Sequence, residues 1–156
     1  MEVTRMNKLL LLDGNSLTYR AFFALPPMTD ASGRNTNAVY GFTMMLLKLM
    51  EDERPTHFAV AFDASKKTFR HDTYADYKGG REKTPGELRE QFPIVREICE
   101  AFGIQVLELD NYEADDIIGT LSKRDEFDNV TIVTGDKDLL QLIDDRVTVY
   151  LTKRGI

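Results

Sequence analysis

The sequence predicts an α/β fold, a mainly parallel sheet with helices on both faces. Three observations predict it. The apolar runs within Lys8–Asp13, Phe58–Asp63 and Val130–Thr134 are short and nearly continuous, as in strands buried on both sides. Segments with helical spacing of apolar residues lie between them, so strand and helix patterns alternate. Each run also leads into an aspartate: Asp13, Asp63 and, after Gly135, Asp136.

Taken in order, Met1–Arg5 precedes the first recognisable pattern and reads as a tag or upstream extension, leaving 6–156 as the domain. Lys8–Asp13 is the first strand and enters a turn at Asp-Gly-Asn-Ser. The aromatic stretch Tyr19–Phe23 follows, then the break at Pro26-Pro27 and a polar loop to Asn35. Asn37–Met50 is predicted helical, with Val39, Phe42, Met45, Leu46 and Leu49 inward and Pro55 as its stop. Phe58–Asp63 is the second strand. Pro85–Phe102 reads as one long helix with Leu88, Phe92, Val95, Ile98 and Cys99 inward, ended by Gly103. Ile104–Leu109 is the third strand, and Asp110 or Asn111 is expected to cap the helix that runs to about Arg124. Val130–Thr134 is the fourth strand. A short helix at Leu139–Ile143 and a strand at Val147–Leu151 complete the pattern.

A length of 156 residues suits one domain with a real core. The single cysteine, Cys99, excludes an internal disulfide and points to a reducing, cytoplasmic setting. The longest early apolar run, Leu9–Leu12, is too short for a signal segment or a membrane span. A net charge of −6 argues against a uniformly basic nucleic-acid binder. The charge is segregated, however. Between Ala64 and Thr84 six basic residues (Lys66, Lys67, Arg70, Lys78, Arg81, Lys83) stand against Asp72, Asp76 and Glu82. An acidic wall beside a basic stretch suits a site that holds metal on one side and phosphates on the other.

The acidic wall centres on Tyr112–Gly119. Ala114, Ile117, Ile118 and Leu121 form one apolar helical face, and Glu113, Asp115 and Asp116 occupy the remaining arc. Alone, these acids are ordinary for a first helical turn. In parallel sheets, however, ligands sit beyond the carboxyl ends of the strands. Asp13, Asp63, Asp136 and Asp138 fall at such ends, on the same edge as Glu113, Asp115 and Asp116. Seven carboxylates in one crevice repel strongly. A shared proton neutralises only a pair, and strand-end basic residues are few. Divalent cations fit best, and all-oxygen ligands indicate Mg2+ or Mn2+; His57 and His71 are too isolated for a zinc site. Many carboxylates around such ions suggest phosphate chemistry. Lys78 and Arg81, with Tyr77 beside them, are either phosphate-orienting groups or a solvated basic face.

Five motifs occur in one order: Asp13-Gly-Asn-Ser, Phe62-Asp63, Tyr77-Lys78-Gly-Gly-Arg81, Tyr112-Glu-Ala-Asp-Asp-Ile-Ile-Gly119 and Thr134-Gly-Asp-Lys-Asp138. In this the chain resembles the structure-specific 5′ nuclease (flap endonuclease-like) family, and within it the 5′-3′ exonuclease domain at the N-terminus of bacterial DNA polymerase I. The resemblance implies a PIN-like, resolvase-like three-layer fold. It implies a nuclease that cuts DNA at 5′ flaps, nicks and 5′ ends with two divalent ions, in replication and repair. Asp13, Asp63, Glu113, Asp115, Asp116, Asp136 and Asp138 would hold the metals, directly or through water. Lys78 and Arg81, in a basic arch over 64–84, would contact the reacting phosphate. Tyr19 would stack on a base, Tyr77 is a second aromatic for that role, and Arg20 and Arg70 would assist with phosphates. The implied partners are flapped or nicked DNA and RNA-DNA hybrids, with a fused polymerase, no membrane and a monomeric state. The chain ends at Thr152–Ile156, before the family's helix-hairpin-helix part and further metal-binding aspartates. The expectation is therefore an incomplete domain with a nearly complete first metal site.

Three other readings stay open beside it. A phosphoaspartate enzyme wants a second aspartate where Asn15 stands. A non-catalytic nucleic-acid-binding module would keep the fold without turnover. A PIN-like ribonuclease would share the metal chemistry, which does not itself select DNA.

Overall fold

Four consecutive leucines make Lys8–Asp13 the central strand, β1, because alternate residues can be buried on both faces at once. Leu10 and Leu12 enter one core cluster and Leu9 and Leu11 the other. The computed structural model describes residues 6–64 and 85–152. The basic stretch with Arg70, Tyr77, Lys78 and Arg81 lies outside the described residues, as does Met1–Arg5.

β1 leads directly into helix α1 (Gly14–Ala24). The sequence predicts a turn there. Asp13 is instead the N-cap, its Oδ1 accepting from the Ser16 N–H at 3.5 Å. Gly14 is required by close approach, since a Cβ would lie 2.5 Å from the Phe62 ring. Helix α2 (Asn37–Glu53) ends at Arg54, in a left-handed conformation just before Pro55. Strand β2 is His57–Ala61.

The predicted helix over 85–102 is two helices, α3 (Gly86–Arg89) and α4 (Phe92–Ala101). Pro93 has no N–H to continue the ladder, and its ring would clash with the carbonyl of Arg89. Gln91, fully buried, fills the break. Its Nε2 donates to Asn37 Oδ1 and Glu87 O, each at 2.9 Å, and its Oε1 accepts from the Val39 N–H at 3.0 Å. Strand β3 (Gln105–Leu107), helix α5 (Ala114–Ser122), strand β4 (Asn129–Thr134), a 3-10 helix (Lys137–Leu142) and strand β5 (Val147–Leu151) follow.

The sheet order is β3-β2-β1-β4-β5, and every pairing is parallel. The 3-10 helix lies in the crossover that a parallel neighbour needs. One core layer joins the sheet to α1, α2 and α4 through residues such as Leu17, Phe42, Leu46, Val95 and Cys99. The opposite layer joins it to α5 and the 3-10 helix through Ala114, Ile117, Ile118 and Leu139. The result is the three-layer arrangement expected from the pattern. Successive strands spread from β1 through β2 to β3, then β4 starts again on the other side of β1. Ligand crevices form at such a reversal, beyond the strand ends, here past Asp13 and Thr134. Among the described residues no helix is long and apolar enough to cross a membrane.

Candidate metal centre

Asp13 ends β1 at the reversal and is 5% exposed. Its Oδ2 accepts from Thr134 Oγ1 at 2.8 Å, across the β1–β4 seam. That hydroxyl has one proton, which faces the carboxylate, so its oxygen is left to accept from the Asp136 N–H at 2.9 Å. Ser16 Oγ lies 3.3 Å from Thr134 Oγ1 and accepts from the Gly135 N–H at 3.0 Å. Two hydroxyls thus lock the ends of β1 and β4 and set Asp13 beside Asp136. Burial pushes the Asp13 carboxyl up to about 6, opposed by its hydrogen bonds to Thr134 and Ser16 and aided by the charge of Asp63.

Asp63 follows β2. Its N–H donates to Asn15 Oδ1 at 2.7 Å, and its Oδ1 accepts from the Ala114 N–H, also at 2.7 Å. The start of α5 is thereby pinned to the end of β2. The helix is capped by Glu113, not by Asp110 or Asn111. The Asp116 carboxylate accepts from the Glu113 N–H at 3.1 Å to close a capping box, and Asn111 sits in the turn before it with φ of 68°.

Asp115 faces the crevice from the first turn of α5. Its Oδ1 is buried and has no hydrogen-bond partner among the described residues. Burial raises its carboxyl above the usual range, and the neighbouring charges of Asp116, Asp63 and Asp136 add to the rise. Among the described residues this buried carboxylate oxygen has three acids nearby and no donor, a shortage of positive charge that a divalent cation would meet. Asp138 is exposed at the start of the 3-10 helix, its N–H donating to Asp136 Oδ1 at 2.9 Å. With Asp115, Asp116, Lys123 and Leu142 it lines a groove of about 520 Å3 between α5 and the 3-10 helix.

The carboxylates share one edge without closing into a ready-made cage: no three described His, Cys, Asp or Glu side chains are grouped to hold an ion. The physical reason is in the bonds above. Repelling carboxylates have turned to local donors: Asp63 to Ala114, Asp116 to Glu113, Asp136 to Asp138 and Asp13 to Thr134.

Tyr19 is half-buried on α1, its ring edge-on to Phe92 at 6.1 Å between centroids. Arg20 lies against the Gly135 turn, donating to Gly135 O at 3.1 Å. A Cβ on Gly135 would come within 2.8 Å of its Nε. Sequence reasoning passed over Ser16, Thr134 and the role of Asn15. The spacing Asp13-x-x-Ser16 is the one signal that could have pointed to a helix cap, and the hydroxyl pairing across strands has none.

A family model described as the 5′-3′ exonuclease, N-terminal resolvase-like domain, matches residues 8–155. The chain is 58% identical over 156 residues to the DNA polymerase I of Bacillus subtilis (strain 168), covering 99% of this chain and 18% of that protein. It is 59% identical over 152 residues to the DNA polymerase I of Geobacillus stearothermophilus, covering 96% and 17%. It therefore spans less than a fifth of the length of these curated relatives. The fold is that of a bacteriophage T5 5′-exonuclease structure with bound divalent metal ions (zinc), with a TM-score of 0.70 at 19% identity over 96% of this chain and 57% of that one. A bacteriophage T5 flap endonuclease in a pseudo-enzyme-product complex with DNA and metal ions gives 0.66 at the same identity, over 96% and 57%. With a family match from β1 past β5 and more than half of its residues shared with these polymerases, the chain belongs to the 5′-3′ exonuclease N-terminal resolvase-like domain family.

Proposed function

We propose that the chain is the metal-binding part of a 5′-3′ exonuclease and 5′-flap endonuclease that hydrolyses DNA phosphodiesters. The observation that carries the reading is Asp115 Oδ1, buried near Asp63, Asp116 and Asp136 at the reversal of the sheet with no hydrogen-bond partner among the described residues. Family membership supports DNA as the substrate class. Asp13, Asp63, Glu113, Asp115, Asp116, Asp136 and Asp138 would hold two Mg2+ or Mn2+ ions, directly or through water. Bound divalent cations neutralise the phosphodiester and activate water for attack. Asp13 and Asp115, with raised carboxyls, are the groups that must give up protons for binding, so occupancy falls in acid. Lys78 and Arg81 orient the scissile phosphate, Tyr19 and Tyr77 stack on bases, and Arg20 and Arg70 contact flanking phosphates.

The names of the relatives support a natural context fused to a bacterial DNA polymerase. There the activity would trim 5′ flaps, nicks and RNA-DNA junctions in replication and repair.

The test is a cleavage assay on 5′-flap DNA, matched RNA and single strands, with Mg2+ or Mn2+ and with chelator. It is run on the chain and on a form extended to the length of the relatives. Metal-dependent cutting near the flap base is expected. An extended form that cuts none of the substrates with metal present overturns the nuclease reading, and preferential cutting of RNA makes it a ribonuclease. Asp115→Ala should abolish metal-dependent cutting while the fold persists; normal cutting would remove Asp115 from the ligand set. Lys78→Ala should slow the chemical step much more than it weakens DNA binding, whereas equal losses would reduce Lys78 to a phosphate anchor.

A further inference from the structure

We propose that Asn15 is a positioning residue for the metal carboxylates, tying the end of β2 to the start of α1 and, through Asp63, fixing the start of α5. The proposal rests on the metal-centre reading above and deepens it. Asp63 lies past the last paired residue of β2. Its N–H donates to the side-chain oxygen of Asn15, two residues beyond the Asp13 cap, at 2.7 Å. The Asp63 carboxylate then takes the Ala114 N–H at 2.7 Å, one of the first helical N–H groups that α5 cannot satisfy internally. Arg96 reinforces the corner. Its guanidinium lies 4.5 Å over the Phe62 ring, pairs with Glu108 at 2.8 Å and reaches the Asp63 carbonyl at 3.5 Å.

The line Asn15–Asp63–Ala114 therefore joins three element ends. Between them those ends carry Asp13, Asp63, Glu113, Asp115 and Asp116. Like charges at these positions drive the ends apart when no cation is bound, and a hydrogen-bonded tie opposes that. An amide suits the position: it accepts a hydrogen bond without adding another negative charge to the crevice. Asn15 so acts on the ligands from behind, as outer residues of metal sites do.

The test uses amide hydrogen exchange read by NMR and calorimetric titration with Mn2+, on the wild-type chain and Asn15→Ala. In the variant, exchange should accelerate together at Asp63 and Ala114, by about tenfold or more, while amides in the middle of β1 and β4 keep their rates. Mn2+ affinity should fall by about tenfold. A folded variant in which Ala114 exchanges at the wild-type rate, or in which Mn2+ affinity is unchanged, overturns the proposal. Should Asn15→Ala not fold, Asn15→Ser is read in the same way, since its hydroxyl is too short to reach the Asp63 N–H. Wild-type protein that binds no Mn2+ would sink the metal reading, and the exchange rates would still decide whether the tie exists.

Discussion

Asp13 shows how one residue is held in an unfavourable state for a purpose. Its carboxylate is buried, and burial lifts its carboxyl from 3.8 to about 6 against two hydroxyl and amide donors. Since the folded value lies above the unfolded one, the folded protein binds this proton more tightly. The group's contribution to stability is full below pH about 4 and is lost as pH rises through about 6. Near neutral pH the ionised group costs the metal-free protein on the order of 3 kcal/mol. Asp13→Asn removes the buried charge; the amide oxygen still accepts from the Ser16 N–H, while the amide nitrogen donates to Thr134 Oγ1, whose own proton turns toward Ser16 Oγ. It should stabilise the metal-free chain by roughly 1–3 kcal/mol near neutral pH and by little near pH 4, as measured by urea denaturation. Equal effects at both pH values would show that the carboxylate is not strained by burial. Sequence alone made Asp13 legible as a strand-end acid. It did not reveal Ser16 and Thr134 as its partners, because a hydroxyl's partner 121 residues away, as for Asp13 and Thr134, is set by sheet register.

At the scale of elements, local chemistry overrode periodicity in two places. The apolar spacing over 85–102 is continuous enough to read as one helix, yet Pro93 divides it and Gln91 turns inward at the division. This amide holds α2, α3 and α4 together at one point, through Asn37, Val39 and Glu87. Gln91→Leu should fill the same space but leave the Val39 N–H and the Asn37 carbonyl oxygen without their partner. It should cost about 2–4 kcal/mol in chemical denaturation. A loss below about 0.5 kcal/mol would mean that the network contributes no net stability. The second place is α5. Its Glu113 cap and Asp116 partner use two acids of the run to start the helix, while Asp115 remains turned into the crevice. One short acidic run thus serves both helix initiation and the candidate site, a division that composition could not show.

At the scale of the whole molecule, the sheet's reversal brings segments from all along the chain to one edge. Asp13, Asp63, Asp115 and Asp136 interact electrostatically there although they are spread over more than a hundred residues. Such an edge is held together against its own repulsion and should tighten when cations bind. At about one hundred times its dissociation constant, Mg2+ or Mn2+ should stabilise the chain by about 2.7 kcal/mol. The gain should be reversed by chelator and be smaller near pH 5 than near pH 8, where protons no longer compete for Asp13 and Asp115. Thermal unfolding followed with each ion would check this, and a melting temperature indifferent to both ions would count against the metal centre.

By itself the sequence determined the alternation of strands and helices, because burial on both faces and on one face leave different apolar periods. It also determined that the acids stand at strand ends, because their place relative to each apolar run is local. Tertiary structure alone decided the strand order, which makes the β1–β4 seam the crevice. It decided too that Asn15 holds Asp63 and that Asp63 holds α5. Those facts depend on which distant backbone groups are left unpaired once the sheet has assembled, and no local pattern records that.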